Sequence, residues 1–91
     1  MPTFTITCTR KSTNIVWFRY PNEIVAHRKS LKMISHHVTT SEDNLITTRV
    51  STFETQEDLD AFVNDPIMNS ITSTRNAYDN LFNITTTTAT A

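Results

Sequence analysis

The stretch from Leu45 to Ile84 has the pattern of a continuous strand–helix–strand unit, which constrains the fold more than any other part of the chain. Thr55 precedes Gln56-Glu57-Asp58, and a threonine followed by acidic residues is typical of a capped helix start. Asp65-Pro66 has the pattern of a second helix start. Apolar residues recur at helical spacing after both starts. The unit therefore predicts a helix in two parts between two strands.

The N-terminal residues Thr3–Thr9 predict another strand. Phe4, Ile6 and Cys8 alternate there with four threonines, so one face is apolar and the other carries hydroxyl groups. A compact apolar segment, Ile15–Tyr20, follows and ends at Pro21; it is either a short strand or a loop over the core. Asn22 can cap a helix that we expect to run from Glu23 to about Ile34.

Two further strands are predicted at residues 36–40 and 45–53. They are joined by Ser41-Glu42-Asp43-Asn44, in which Asp and Asn can form the turn without glycine. The chain contains no glycine at all, which excludes the usual glycine-rich phosphate-binding loops. A last, weak strand is expected at Ile84–Thr88, followed by an Ala-Thr tail.

The element order β-α-β-β-α-β predicts an α+β fold. It is the order of the ferredoxin-like arrangement, in which an antiparallel four-stranded sheet carries its helices on one face. We expect one domain over residues 1–84, with residues 85–91 as a threonine-rich strand end and tail. The predicted helices would bury two apolar stripes: Leu59, Phe62 and Val63 on the first, and Ile67, Ile71, Tyr78 and Phe82 on the second.

The single cysteine and the short apolar runs limit the classes of protein that fit. Cys8 alone can form neither an internal disulfide nor a structural zinc site, and the strand alternation predicts that it is buried. No apolar run reaches the roughly 18 residues of a membrane span, and the N-terminus lacks the pattern of a signal peptide. The sequence therefore predicts a cytoplasmic protein.

Charge is divided unevenly along the chain. Residues 1–40 carry six basic residues and one acidic residue, whereas residues 41–91 carry two basic and eight acidic residues. In a compact domain the two segments can interleave and cancel. Alternatively, they can form an electrostatic dipole that orients a partner or a second subunit.

Few residues suggest chemistry. His36 and His37 are adjacent on a predicted strand and would point to opposite faces, so we predict no metal site, and no pattern predicts a cofactor. His27 is either a packing residue or a general base in a pocket. Arg75 and Tyr78 share a helix face and could hold an anionic or aromatic ligand, although an Arg75–Asp79 pair is an alternative. The candidates for lining a pocket are Trp17, Phe18 and His37.

The second half of the chain resembles a known group of proteins. The resemblance is carried by Phe53, Glu54, Thr55, Glu57, Leu59 and Phe62, by the break at Asp65-Pro66, and by Arg75, Tyr78 and the closing strand. This pattern resembles the antibiotic-biosynthesis-monooxygenase-like and stress-responsive groups of dimeric α/β-barrel proteins. The resemblance implies that two four-stranded sheets pack face to face, with a pocket between each sheet and its helices.

Some of these relatives degrade haem, and others are cofactor-free oxygenases. The haem-degrading type relies on an Asn in the first strand and on a Trp and a His later in the chain. Here the first strand has no Asn, and residues 38–91 contain neither Trp nor His. The resemblance to the haem-degrading type therefore stops at the fold.

Three functions follow as hypotheses. The favoured one is a homodimeric binding or assembly protein without catalysis, with a small molecule as a further partner. The first alternative is a cofactor-free monooxygenase or isomerase that acts on a small aromatic substrate. The second is a nucleic-acid-binding module, which the basic segment 10–32 supports. The threonines of the first strand argue against this last hypothesis, because RNA-recognition modules stack bases on aromatic residues there.

Overall fold

The computed structural model describes all 91 residues and has the predicted ferredoxin-like order, with the second helix in two parts. The four strands form one antiparallel sheet in the order β2-β3-β1-β4. None of the helices is both long and apolar enough to cross a membrane. The elements are β1 Thr3–Thr9, α1 Asn22–Lys29, β2 Met33–Thr40, β3 Ile46–Phe53, α2 Gln56–Val63, α3 Pro66–Leu81 and β4 Thr85–Thr90.

The register of the sheet separates two faces of different chemistry. Phe4, Ile6 and Cys8 of β1 lie opposite Ser51, Arg49 and Thr47 of β3, and these residues point towards the helices. The opposite face carries no charged residue and is called the threonine face below. It consists of Thr3, Thr5, Thr7 and Thr9, Ile46, Thr48, Val50 and Thr52, His37 and Thr39, and Thr85, Thr87 and Ala89.

Both predicted starts of the bipartite helix are confirmed. The Thr55 side chain accepts a hydrogen bond from the backbone N–H of Asp58 at 3.1 Å. The Asp65 side chain accepts one from the backbone N–H of Met68 at 2.9 Å, and Pro66 occupies the first turn of α3. These caps satisfy N–H groups that have no partner within the helix.

The turns use polar residues where other chains use glycine. In the β2–β3 turn, Asp43 accepts hydrogen bonds from the Ser41 hydroxyl at 2.6 Å and from the Leu45 backbone N–H at 3.1 Å. Three residues have a positive φ: Asn44 in this turn, Asn83 after α3 and Lys32 before β2. Asparagine tolerates this conformation better than most residues, which explains two of the three positions.

Helix α1 is shorter than predicted. It ends at Lys29, and Met33 and Ile34 belong to β2 instead of continuing the helix. Met33 pairs with Phe53 across the sheet, and this long-range pairing outweighs the helical spacing of Ile24, Leu31 and Ile34. The predicted Asn22 cap is also wrong, because the capping position is Pro21 and no side chain caps the helix.

The core lies at one end of the space between the sheet and the helices. It consists of Phe53, Leu59, Phe62, Met68 and Ile71. The prediction of α3's buried face is wrong at two positions, because Ile67 and Phe82 are 47% and 41% exposed. Met68, Ile71, Arg75 and Asp79 are buried instead. Val63 of α2 is likewise exposed.

Residues 15–20 and the C-terminal residues both contact the rest of the domain. Residues Ile15–Tyr20 form a loop without regular structure, and Phe18 and Tyr20 pack against the core cluster. At the C-terminus, β4 pairs with β1 from Thr85 to Thr90, and the backbones of Ala91 and Thr3 exchange hydrogen bonds of 2.8 and 3.1 Å. Residues 85–90 thus complete the sheet.

Candidate ligand-binding site

A cavity of about 250 Å³ lies between the sheet and the helices, beside the apolar core. It exists because the central strand β3 places Arg49 and Ser51 on its inner face, where strand alternation assigns core residues. His36 of β2 pairs with Ser51 and extends this polar area. Such side chains do not fill the space as large apolar groups would, so a pocket remains.

Part of the cavity lining is apolar. Five residues form this apolar wall, and they come from both sheet and helices: Phe4, Ile6, Phe62, Val63 and Met68. The rings of Phe4 and Phe62 meet edge to face, with centroids 5.8 Å apart. Ligand pockets in proteins are mostly apolar, with a few polar groups that orient the ligand, and the cavity has this character.

The lining also includes three arginines from three elements: Arg28 of α1, Arg49 of β3 and Arg75 of α3. No Asp or Glu lines the cavity. Arg75 is buried and lies 3.8 Å from Asp79, measured from Nε to Oδ2, and it also donates to the Tyr20 hydroxyl at 3.2 Å. Its charge is therefore balanced within the protein, whereas Arg28 and Arg49 have no carboxylate partner.

His36 and Ser51 form a hydrogen-bonded pair at the cavity, with 3.1 Å between Nδ1 and Oγ. Burial lowers the pKa of His36 to about 4, and the positive charges of Arg28 and Arg49 contribute in the same direction. The imidazole is therefore neutral at pH 7. A histidine of such low basicity is a poor general base for a serine nucleophile.

The loop Ile15–Tyr20 borders the site, because Tyr20 at its end lines the cavity. Arg10 is buried and donates to the carbonyl oxygens of Asn44 and Ile15, and its guanidinium lies 4.5 Å from the ring centre of Trp17. An outer groove, lined in part by Trp17 and Phe18, shares Tyr20, Arg28 and Arg49 with the main cavity. Trp17 and Phe18 also border a smaller cavity of about 20 Å³, room for one water molecule.

The candidate catalytic residues do not meet in one place. His27 does not line the cavity, and its Nε2 lies 2.9 Å from Oδ2 of Asp65. The hydroxyl of Tyr78 donates to the carbonyl oxygen of Val16, and its ring packs on Phe18. Of the three candidates, only Arg75 reaches the cavity.

His37 and His36 point to opposite faces of the sheet. His36 lines the cavity, whereas His37 lies exposed on the threonine face. No group of three or more His, Cys, Asp or Glu side chains is placed to hold a metal ion.

The sequence reasoning missed Arg28, Arg49, His36 and Ser51 as cavity residues. Arg28 precedes the exposed Lys29 on α1, yet it is half-buried and lines the cavity. One signal was present in the sequence: if Phe53 faces the core, then Ser51 and Arg49 must face it too, because side chains alternate along a strand. A charged residue at a core position marks a candidate site.

Comparisons with known proteins support the fold and go no further. No protein-family model and no curated protein matches the sequence. A solved structure from Deinococcus radiodurans, described as a "putative antibiotic biosynthesis monooxygenase", superposes with a TM-score of 0.61 over 100% of this chain and 90% of that chain. The two sequences are 10% identical, so the similarity is one of fold. It agrees with the ferredoxin-like fold of the single chain that the sequence predicted.

Proposed function

We propose that this protein is a homodimeric binding protein that holds a small molecule in the cavity of each protomer. The observation that carries this proposal is the 250 Å³ cavity itself, whose lining combines apolar side chains with polar and positively charged ones. Its volume lies just below the range of about 300 to 1,000 Å³ that is common for ligand pockets. A small ligand of one or two rings suits it.

The threonine face supports self-association. It extends over all four strands, contains no charged side chain, and includes Ile46 and Val50, while the helices cover only the other face. Threonine methyl groups can pack across a twofold axis, provided that the hydroxyl groups find partners. A second copy of the chain has the matching uncharged surface.

The properties of His36 and of its hydrogen-bond partner favour binding without catalysis. Its low pKa makes it a weak base, and its hydrogen-bond partner Ser51 is only 4% exposed. His27 of α1 lies outside the cavity, where its Nε2 contacts Oδ2 of Asp65. The groups at the cavity can therefore orient a ligand but form no efficient proton-transfer pair.

A second candidate function is a cofactor-free monooxygenase or isomerase that acts on a small aromatic substrate. The fold shared with the Deinococcus radiodurans protein supports it. In this candidate the substrate would contact Nε2 of His36, which has no hydrogen-bond partner in the protein. Oxygen uptake with a panel of naphthols, lost in His36→Ala, would favour this candidate over binding alone.

Nucleic-acid binding has less support. Phe53, the one aromatic residue on the third strand, is fully buried and cannot stack on a base. In the basic segment, Arg10 is buried and Arg28 is half-buried. We also propose a reducing compartment such as the cytoplasm, since the single cysteine, Cys8, is a free thiol.

Binding is tested by NMR titration of the ¹⁵N-labelled protein with 2-naphthoate and with 2-naphthalenemethanol. We expect at least one compound to shift the amide signals of Ile6, Phe62 and Met68. Asn69→Trp should prevent these shifts, because Asn69 is exposed at the rim of the cavity. Thr74→Trp, at an exposed position of the same helix away from the cavity, is the control. Absence of shifts with both compounds would contradict the proposed function.

A further inference from the structure

We infer that the ligand of the cavity is an organic carboxylate, with its charge held between Arg28 and Arg49 and its apolar part against Phe4 and Phe62. This inference rests on the proposed function and names the class of ligand that the site would take. It is carried by the charges around the cavity, which are all positive and only partly balanced by the protein.

The position of Arg49 is the strongest observation. It lies on the inner face of a central strand, directly opposite Ile6, and its side chain is partly buried. Its guanidinium lies 5.4 Å from the ring centre of Tyr20, which also lines the cavity. Arg49 makes no side-chain hydrogen bond or ion pair within the chain. Its donors are therefore free to bind an anion in the cavity, and such charge-assisted hydrogen bonds are strong.

Arg28 reaches the same cavity from α1 and has no ion-pair partner either. Burial lowers the pKa of Arg28, and the positive charge of Arg49 adds to this effect. The two guanidinium groups therefore repel each other in a partly dehydrated space. An anion between them would relieve this repulsion, because its charge interacts favourably with both.

The other residues that line the cavity indicate which kind of anion fits it. The apolar wall formed by Phe4, Phe62 and Met68 suits a ring or a branched hydrocarbon rather than a sugar. Arg75 is already paired with Asp79, and His36 is neutral at pH 7, so two net positive charges face the ligand. A carboxylate is planar and matches the forked donors of guanidinium groups. An aryl or branched-chain carboxylic acid combines both features.

The inference is tested by calorimetric titration at pH 7 with 2-naphthoate and 2-naphthalenemethanol, which share the ring and differ in charge. We expect the carboxylate to bind at least about tenfold more tightly, as an added charge-assisted contact warrants. Phenyl phosphate serves as a third probe and should bind more weakly than 2-naphthoate. Equal affinity of the two naphthalene compounds, or tighter binding of phenyl phosphate, would overturn the inference and leave the proposed binding function standing. No binding of any probe would instead refute the proposed function.

Substitution of each arginine tests whether Arg28 and Arg49 cause the preference for the carboxylate. Arg28→Met and Arg49→Met should each weaken 2-naphthoate binding by about tenfold and change binding of 2-naphthalenemethanol by less than about twofold. Lys29→Met removes the neighbouring, exposed charge and should change neither. Arg49→Met should also raise the unfolding temperature of the ligand-free protein, because it removes a partly buried charge that repels Arg28. A lower unfolding temperature, or equal loss of both ligands, would contradict the inference.

Discussion

His27 on α1 and Asp65 at the start of α3 are joined by a contact of 2.9 Å between Nε2 and Oδ2. The same carboxylate caps α3 through the backbone N–H of Met68. The Asp65 side chain thus connects the first helix to the start of the last. His27 acts here as a structural residue.

The Asp65 contacts predict an acid-dependent loss of stability. The hydrogen bond from the Met68 N–H lowers the pKa of Asp65, and His27 contributes in the same direction. A lowered carboxyl pKa stabilises the folded state above the unfolded-state value of about 3.9, and this stabilisation is lost as the pH falls further. Thermal unfolding of the wild type between pH 7 and pH 2.5 should therefore show a steep decrease below about pH 4.

Asp65→Asn is the matched variant for this experiment, because asparagine also caps helices but does not titrate. Its unfolding temperature should decrease less steeply below about pH 4. Asp43, whose pKa is also lowered by hydrogen bonds in the β2–β3 turn, is present in both proteins and cancels in the comparison. Parallel curves for the two proteins would contradict the assignment.

His36 gives a second pH prediction, with its own window. Because its pKa is lowered from 6.5 to about 4, the unfolded chain binds a proton between these values that the folded chain does not. Stability should therefore rise with pH across this window, and His36→Gln should reduce the slope. Bound 2-naphthoate should raise the NMR titration midpoint of His36, since the carboxylate offsets Arg28 and Arg49. A midpoint near 6.5 in the free protein would refute the described burial.

The local capping signals were predictable from sequence because they depend on residues three or four apart. Thr55 and Asp65 are examples, and both caps formed as expected. The end of α1 and the buried face of α3 depend instead on contacts between different elements of the fold. The end of α1 depends on the pairing of Met33 with Phe53, and the buried face of α3 depends on the Arg75–Asp79 pair being accommodated beside Tyr20. An assignment from hydrophobicity alone placed Ile67 and Phe82 inside.

The cavity could not be predicted from the sequence for the same reason. Arg28, Arg49 and His36 lie on three elements and are far apart in sequence, so no motif spacing connects them. Only the register that places Arg49 opposite Ile6, and Ser51 opposite His36, brings them together. Of the three residues Arg28, Arg49 and His36, only Arg49 could have been placed at the cavity by strand alternation.

The position of the loop Ile15–Tyr20 beside the site depends on Arg10. Its guanidinium donates at 3.0 and 2.7 Å to the Asn44 carbonyl and at 2.6 Å to the Ile15 carbonyl. Arg10→Ala should lower the free energy of unfolding by about 2 kcal/mol, because two backbone carbonyl groups lose a charged donor that is itself buried. Urea unfolding measures this change. Lys11→Ala, at the exposed neighbouring position, should change stability by less than about 0.5 kcal/mol, and equal effects would contradict the role of Arg10.

Self-association through the threonine face predicts a solution mass of twice the 10.4 kDa chain by light scattering coupled to size exclusion. Thr48→Lys places a charge near the centre of this face and should yield the monomer, since like charges would meet across the twofold axis. Thr74→Lys, on the exposed surface of α3, should remain a dimer. A wild-type monomer at all concentrations would rule out this interface.

The most direct measurement is a crystal structure of the protein grown with 2-naphthoate. We predict two protomers in contact through their threonine faces, with a ligand in each cavity. The carboxylate should lie within hydrogen-bonding distance of Arg28 and Arg49, and the rings should contact Phe4 and Phe62. A dimer with empty cavities, or a ligand whose carboxylate points to solvent away from both arginines, would contradict the central claim.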